Sequence, residues 1–304
     1  MVRGPGGTET KGKFVKTRKA LVVLVVVVLV GGFLAVGALQ DSRPPLPALE
    51  ADEASPEGYT TVTMIVELMR TQMDSFGGWL PNDLPLSPSF YLDNTPQFQL
   101  GVLQVVRHAS RVLRDNLSRQ RTSDAVDRDA DLAYSAYAND PLKWAFPSAE
   151  SAFGRGNAAL LRFRDNLGRT TRFYPRADNL VQLLDILMSE LGAVNTRLLE
   201  AGEGGAVGWL QTDDNFYWGQ GVRYAMLGLM RAVERDFAPV IADKNAGEIV
   251  GLIIKSLDGG GFDPLVVTNG SKGGILASHS NNLKAYLDDA RQKMNSLVTI
   301  LKQG

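Results

Sequence analysis

The chain has 304 residues, of which 44% are hydrophobic and 21% are charged, so it carries ample apolar material for a folded core. Its formal net charge of −1 argues against a cationic face for nucleic acid. With two histidines and no cysteines, it offers no disulfide framework, no thiolate chemistry and too few ligands for a dense zinc site. We therefore predict neither a metal nor a cofactor.

Residues 20–39 are uncharged, free of proline and dominated by leucine and valine. A helix of this length, at about 1.5 Å per residue, reaches roughly 30 Å, the thickness of the hydrocarbon core of a bilayer. Because only a helix satisfies so many backbone groups in lipid, we predict one transmembrane helix. A cleaved signal peptide is the alternative, since Val36-Gly37-Ala38 fits a small-residue cleavage site. The apolar run, however, is longer than the about 7–15 residues of a signal peptide, which favours an uncleaved anchor.

Charge is distributed unevenly around this span. Residues 1–19 are rich in lysine and arginine and contain Glu9 as their one acidic residue, whereas the residues just after the span are mainly acidic. Lysine and arginine concentrate at the cytoplasmic end of a span, so we predict a cytoplasmic tail and a C-terminal part on the other side. Residues 40–58, rich in proline and acidic residues, are predicted to form a semi-extended linker that holds the domain off the membrane.

From residue 59 onward the apolar residues follow a helical period, and no alternating run indicates a strand. Ser123 and Ser148 are the predicted N-caps of two helices, and Pro239 fits a first helical turn. The predicted helices cover residues 59–76, 95–119, 123–138, 148–167, 177–201, 215–237, 239–257 and 278–302.

Two sets of four helices suggest an internal repeat. Gly78-Trp79-Leu80 returns as Gly208-Trp209-Leu210, and Asp140-Pro141-Leu142 returns as Asp263-Pro264-Leu265. The apolar residues of the helices that follow these motifs recur at a nearly constant offset. We therefore predict two related four-helix units, residues 59–170 and 171–304, with chance similarity between amphipathic helices as the alternative.

Aromatic residues next to carboxylates could form a ligand site in the groove between the two units, because rings stack on sugars and carboxylates accept hydrogen bonds from hydroxyl groups. The alternative is that the rings fill the junction between helices while Asp213 or Asp214 caps the following helix. The candidate ligand- or partner-binding residues are Trp79, Asp83, Trp209, Asp213, Asp214, Tyr217 and Trp218.

Residues 150–153 (Glu-Ser-Ala-Phe) resemble the Glu-Ser-x-Phe signature of lytic transglycosylases, helical enzymes that cut periplasmic glycan strands. The resemblance implies a general acid/base role for Glu150. The Gly-Leu-Met-Gln element of that family is missing downstream, and a glutamate in the first turn after a serine N-cap is ordinary helix-start chemistry. Coincidence is therefore the favoured interpretation.

Polar residues of the second predicted helix have simple interpretations. His108 lies beside its apolar stripe and is expected to be a partly buried packing residue. Arg107, Arg111, Arg114 and Arg119 lie near one face, which could contact phosphates but is typical of a solvated helix face.

The whole layout resembles an uncharacterised family of single-pass inner-membrane proteins from Gram-negative bacteria, defined as a domain of unknown function. The resemblance rests on the basic tail and span, on residues 77–83 (Gly-Gly-Trp-Leu-Pro-Asn-Asp), on residues 92–96 and on residues 173–180. It implies a periplasmic location for the domain but no activity.

We therefore predict an all-α protein, with a transmembrane helix followed by a periplasmic domain that binds or scaffolds part of the cell envelope. Its expected partners are the membrane and an envelope protein or glycan. A glycan-cleaving enzyme that uses Glu150 is the alternative.

The predicted topology can be tested with reporter enzymes fused after Gly304. An alkaline phosphatase, which needs an oxidising compartment, should be active there because the basic tail keeps the N-terminus inside. A reporter that works only in the cytosol serves as the matched control and should be inactive. The reverse pattern would contradict the orientation and the periplasmic location together.

Overall fold

Helices make up nearly all of the regular structure in the computed structural model. The described residues are 8–40, 43–49, 55–83, 87–90, 94–121, 123–202, 209–264, 267–268 and 278–303. Among them there are ten α-helices and no strand, which confirms the predicted all-α class. The helices are α1 (Thr8–Gln40), α2 (Tyr59–Met73), α3 (Asn94–Val112), α4 (Arg128–Tyr137), α5 (Ala149–Asp165), α6 (Ala177–Gly202), α7 (Trp209–Asp236), α8 (Ala238–Asp243), α9 (Gly247–Gly259) and α10 (His279–Lys302).

The most extensive helix pair is α3 against α7, and it lies at the centre of the core. The two helices cross where glycine faces glycine. A Cβ atom on Gly101 would lie 2.2 Å from the carbonyl oxygen of Trp218, and one on Gly221 would lie 2.0 Å from that of Phe98. The backbones therefore touch directly, which only residues without a side chain permit. The apolar residues that flank this crossing are fully buried: Val102, Val105, Val106, Val222, Ala225, Met226 and Leu229.

The other helices pack around this pair in the same scheme on both sides. In the first half, α2 contacts α3 and α5, and α4 contacts α5 and α3. In the second half, α6 contacts α7 and α10, and α9 contacts α10 and α7. The two related four-helix units, residues 59–170 and 171–304, stay a prediction.

Two of the predicted helix starts differ in outcome. Ser148 caps α5, since its hydroxyl oxygen accepts a hydrogen bond from the backbone N–H of Ser151 at 3.2 Å. Ser123 is not the cap of α4, because this helix begins later, after Asp127. The Asp127 carboxylate accepts from the backbone N–H groups of Asp129 and Ala130, at 2.9 and 3.1 Å. The carboxylate of Asp127 therefore caps α4 instead of the predicted Ser123.

The predicted helix over residues 239–257 is two helices, α8 and α9. The chain turns at Asn245, whose φ of +51° lies in the left-handed region that asparagine tolerates better than most residues. The backbone N–H of Ala246 then donates to the carbonyl oxygen of Ile241 at 2.8 Å, which closes the end of α8. Sequence periodicity missed this break because both helices present apolar residues to the same core.

Helix α7 starts at Trp209, six residues before the predicted start at Asn215. Asp213 and Asp214 consequently lie inside the helix and do not cap it. Acidic residues near the start of a helix are favoured by the helix dipole, so they allow α7 to extend through them.

The start of α2 is capped by a residue far away in sequence. The preceding Gly58 has no side chain to act as a cap, and the carboxylate of Asp236, at the end of α7, accepts from the backbone N–H of Thr61 at 2.6 Å. Burial raises the pKa of Asp236, and the hydrogen bonds from Thr60 and Thr61 oppose that rise. The contact fixes the end of α7 against the start of α2.

Helix α1 contains the predicted span. Within it, residues Leu21–Gln40 are long and apolar enough to cross a membrane, and a signal sequence meets the same criterion. The leucine and valine side chains are largely exposed, as expected of a segment that does not pack on the domain. The end of the helix docks on the domain, where Gln40 is buried beside Gly77.

The helix crossing predicts a large effect of a single methyl group. Gly221→Ala should lower the free energy of unfolding by about 1–3 kcal/mol, because its Cβ atom would overlap the Phe98 backbone, which cannot rotate away. Chemical denaturation of the full chain in detergent, followed by circular dichroism, measures the change.

Gly251→Ala is the matched control, since it lies in α9 and a Cβ atom there meets nothing within 4 Å. It should be neutral or raise stability by about 0.5–1 kcal/mol, the ordinary gain of alanine over glycine in a helix. Equal stability of the two variants would contradict the close crossing.

Candidate functional site

The segment just after α1 packs against the domain. Of the predicted linker, residues 43–49 are described, and Leu46 and Leu49 in it pack on the hydrophobic core. The hydroxyl group of Tyr224 in α7 donates a hydrogen bond to the carbonyl oxygen of Pro45 at 2.9 Å. Residues 43–49 therefore lie on the domain, with Leu46 and Leu49 half-buried, and the role of residues 40–58 as a tether to the membrane stays a prediction.

Arg43 is the first described residue after α1, and its side chain contacts a carboxylate and two aromatic rings. The guanidinium group pairs with the carboxylate of Asp263, in the loop after α9. It also lies over the ring of Tyr217, 4.6 Å from the centroid, and 5.9 Å from that of Phe98. Stacking on an aromatic face and pairing with a carboxylate are both characteristic of arginine.

Arg223 of α7 lies beside Arg43 and is buried. Its Nε donates to Gln220 Oε1 and its Nη1 to the carbonyl oxygen of Leu257, each at 2.8 Å. Burial lowers the pKa of Arg223 to about 10, opposed by the nearby carboxylate of Asp258, so the group stays charged at neutral pH. A Cβ atom on Gly261 would lie 3.0 Å from this guanidinium group, so glycine there leaves room for the charge.

These residues surround a cavity of about 340 Å³ between residues 43–46, α7 and the loop after α9. Arg231 adds a third guanidinium group, which pairs with Asp258 at 3.3 Å and is 38% exposed. We call this site the arginine cavity, and its lining residues are Arg43, Pro44, Leu46, Phe98, Gln220, Arg223, Tyr224, Leu227, Arg231, Asp258, Gly261, Phe262 and Asp263.

The charges of the arginine cavity favour an anion. Three arginines face two aspartates, so one positive charge is left over, and Arg223 is paired only with neutral groups at hydrogen-bond distance. Aromatic rings line the same cavity, with Phe98 and Tyr224 in an edge-to-face pair at 5.2 Å. Such a site can bind a carboxylate or phosphate whose neighbouring atoms are apolar or ring-shaped.

A second, larger cavity of about 760 Å³ lies on the other side of the same segment, against α2 and α5. Its charged residues are balanced locally, because Arg70 bonds to Glu67 and Asp74 of its own helix region, each at 3.3 Å. Arg164 lies over the ring of Tyr59, 5.1 Å from its centroid. This second cavity is therefore the weaker candidate for binding a charged ligand.

Trp79 is a packing residue in this structure, since its side chain is 2% exposed. Its Nε1 donates to the carbonyl oxygen of Pro141 at 2.8 Å, and its ring meets that of Phe153 at 5.0 Å, edge to face. Asp83 accepts hydrogen bonds from Ser87 and Ser89, which closes a local turn. Neither residue lines the arginine cavity.

The second set of predicted residues belongs to the first turns of α7. The side chain of Trp209 lies outside the described residues, and Asp213 and Asp214 are half-buried. Trp218 is buried, with the guanidinium group of Arg197 3.9 Å above its ring. Tyr217 does not line the arginine cavity, but its ring contacts Arg43 in the cavity wall.

Glu150 lies in the first turn of α5, where its Oε1 accepts from Nδ2 of Asn82 at 3.1 Å. This contact connects the start of α5 to the turn at residues 80–82, and the glycan-cleaving alternative stays a prediction. Among the described residues, no group of three or more His, Asp or Glu side chains could hold a metal ion.

Sequence reasoning missed two polar contacts of α3. His108 bonds to the buried carboxylate of Glu190 at 2.7 Å, so it joins α3 to α6 and does more than pack. Arg107 donates to the carbonyl oxygens of Tyr137 and Asn139, at 2.7 and 2.6 Å, and is not part of a solvated face. Burial lowers its pKa.

The arginine cavity was missed as well, because its charged residues are far apart in sequence. One local signal was available. Arg223 is the single charged residue among residues 221–230, which are otherwise mainly apolar. A lone arginine on the buried face of a helix needs a specific partner.

Comparison with known families gives one match. A family model described as an uncharacterised protein conserved in bacteria, DUF2333, matches residues 8–207 and 201–304. Neither the comparison with curated proteins nor that with solved structures finds a match.

The docking of residues 43–49 predicts that Arg43 holds this segment in place. In the cysteine-free chain, a cysteine introduced by Leu46→Cys is half-buried and should react slowly with a maleimide. Adding Arg43→Gln removes a cation–π contact worth about 0.5–2 kcal/mol, so the labelling rate should rise by roughly 2- to 30-fold.

Adding Arg155→Gln is the control, since this arginine bonds only to Ser151 on the exposed face of α5. Its labelling rate should equal that of Leu46→Cys alone. An unchanged rate with Arg43→Gln would contradict the role of Arg43 in holding the segment.

Proposed function

This chain belongs to the DUF2333 family of uncharacterised proteins conserved in bacteria, and we propose that it is a single-pass membrane protein that binds an anionic ligand of the cell envelope. In this proposal α1 is an uncleaved anchor, the basic tail is cytoplasmic, and the helical domain lies in the periplasm. The ligand site is the arginine cavity. The protein acts as a binding or scaffolding component.

The anchor and its orientation are supported by the sequence around α1. Lysine and arginine crowd the residues before Leu21, and the residues after Gln40 are mainly acidic, which is the pattern of an inside N-terminus. The continuity of the helix through Gln40 also favours an anchor, because the end of the apolar stretch is packed against the domain.

The arginine cavity carries the proposal for the ligand. A buried guanidinium group loses its hydration, and Arg223 is offset by Asp258 only from a distance beyond a hydrogen bond. An anion in the cavity would complete the compensation. Hydrogen bonds from charged donors in such a site are stronger than those at an exposed surface.

The distance to the anchor narrows the class of ligand. Arg43 follows Gln40 by three residues, and an extended chain spans at most about 3.3–3.6 Å per residue. The backbone of Arg43, in the wall of the arginine cavity, therefore lies within roughly 11 Å of the end of α1. The proposed ligand presents its carboxylate or phosphate at the periplasmic surface of the membrane.

Photo-cross-linking in intact cells tests this proposal. The photoreactive analogue p-benzoylphenylalanine replaces Phe262, a half-buried aromatic residue in the cavity wall. It should capture a specific envelope molecule. The same analogue at Leu132, an exposed residue of α4, is the control and should not capture it.

Charge removal then tests whether the ligand is an anion. Arg231→Gln should weaken capture roughly ten- to a hundredfold, since a charged donor contributes about 1.5–3 kcal/mol. The fold should tolerate this change, because the exposed pair with Asp258 is worth only about 0–1 kcal/mol. Capture that Arg231→Gln leaves unchanged, or that Leu132 equals, would contradict the proposal.

A further inference from the structure

The loop between α4 and α5 exposes three large apolar side chains. Leu142 is 58% exposed, Trp144 is 72% exposed and Phe146 is 95% exposed. Neighbouring apolar side chains that remain in water are uncommon unless they meet a partner or a membrane. We call residues 142–146 the apolar loop.

The backbone of the apolar loop is held in place by the domain. Trp79 Nε1 donates to the carbonyl oxygen of Pro141 at 2.8 Å, and Asn82 Nδ2 donates to that of Lys143 at 3.2 Å. Phe146 has a φ of +52°, which is uncommon for an aromatic residue, and it gains no burial in exchange. The loop is thus positioned with its apolar side chains outward.

The residues that hold the loop also meet the end of the membrane helix. A Cβ atom on Gly77 would lie 2.7 Å from the side chain of Leu80 and 3.0 Å from that of Gln40, the last residue of α1. Leu80 follows Trp79 directly, and the neighbouring Phe76 is 54% exposed. Helix α1 and the apolar loop are therefore on the same end of the domain, separated by this one turn.

We propose that the apolar loop inserts into the interfacial layer of the bilayer that α1 crosses. The proposal rests on α1 being an anchor, as in the proposed function. Tryptophan and phenylalanine partition to the depth of lipid headgroups, and Lys143 within the loop can pair with anionic headgroups. A lipid surface fits better than a protein partner because the membrane already begins at Gln40.

The insertion gives the domain a second point of contact with the membrane. One spanning helix alone leaves a domain free to rotate about the helix axis. A second contact, at the apolar loop, fixes which face of the domain meets the lipid. The arginine cavity, close to the same end, is then held at a constant distance from the headgroups.

An environment-sensitive fluorophore tests the insertion in the full chain, which has no cysteine to remove. Trp144→Cys, labelled with nitrobenzoxadiazole, is reconstituted in vesicles of phosphatidylcholine and phosphatidylglycerol. We expect blue-shifted emission, an intensity several-fold higher than that of the same label on Leu252→Cys in the same vesicles, and quenching by lipids that carry a nitroxide near the headgroup. The substitution should leave the fold intact because the side chain is exposed.

Two further labelled positions separate the possible outcomes. Val27→Cys, in the middle of α1, reports whether the anchor is in lipid, and Leu252→Cys, exposed on α9, should report water. If position 144 behaves like position 252 while position 27 is quenched by lipid, the loop inference is wrong and the anchor stands. If position 27 is also unquenched, the anchor itself fails.

A protein partner would give a third result. A label at position 144 that is shielded from iodide in cells, but not quenched by nitroxide lipids in vesicles, would show that a protein covers the loop. That result would overturn the inference.

Discussion

The contact between the backbones of α3 and α7 is the constraint on which the rest of the structure depends. At Gly101 and Gly221 the two helices approach until a carbonyl oxygen of one lies where a Cβ atom of the other would be. The approach brings the apolar faces of both helices together at the crossing. Every other helix of the domain, from α2 to α10, packs directly or through one neighbour against this pair. The contacts are reciprocal, since each glycine meets the residue that precedes the other by one turn.

The position of α7 also decides where charge can gather. Gly221 packs against α3. Arg223 and Tyr224, which follow on the same helix, bond to Leu257 and to the segment after α1, respectively. Arg43 then reaches the ring of Tyr217 on the same helix. The arginine cavity therefore forms because α7 packs on the core with some of its residues and contacts the segment after α1 with others.

Apolar periodicity and capping preferences predicted the helices well. Contacts between residues far apart in the sequence could not be predicted from them. The period of the apolar residues identified eight helical regions, and the Ser148 cap followed from its position before α5. The break at Asn245 needs a left-handed residue that an otherwise helical pattern does not reveal. The docked segment after α1 was predicted as a free linker because proline and acidic residues suggest solvation, while the fit of Leu46 on the domain depends on the finished fold. Trp79 is buried in the core, and Tyr217 contacts Arg43 of the cavity wall without lining the cavity.

In the proposed topology the domain follows the span closely, because Arg43 is only three residues after Gln40. In a thinner bilayer a long apolar helix tilts to keep its side chains in lipid. Gln40 packs beside Gly77, and Arg43 contacts Asp263 and Tyr217. A tilt of α1 would therefore displace residues of the arginine cavity. The same rigid link that positions the domain would thus make it respond to the thickness of the lipid around it.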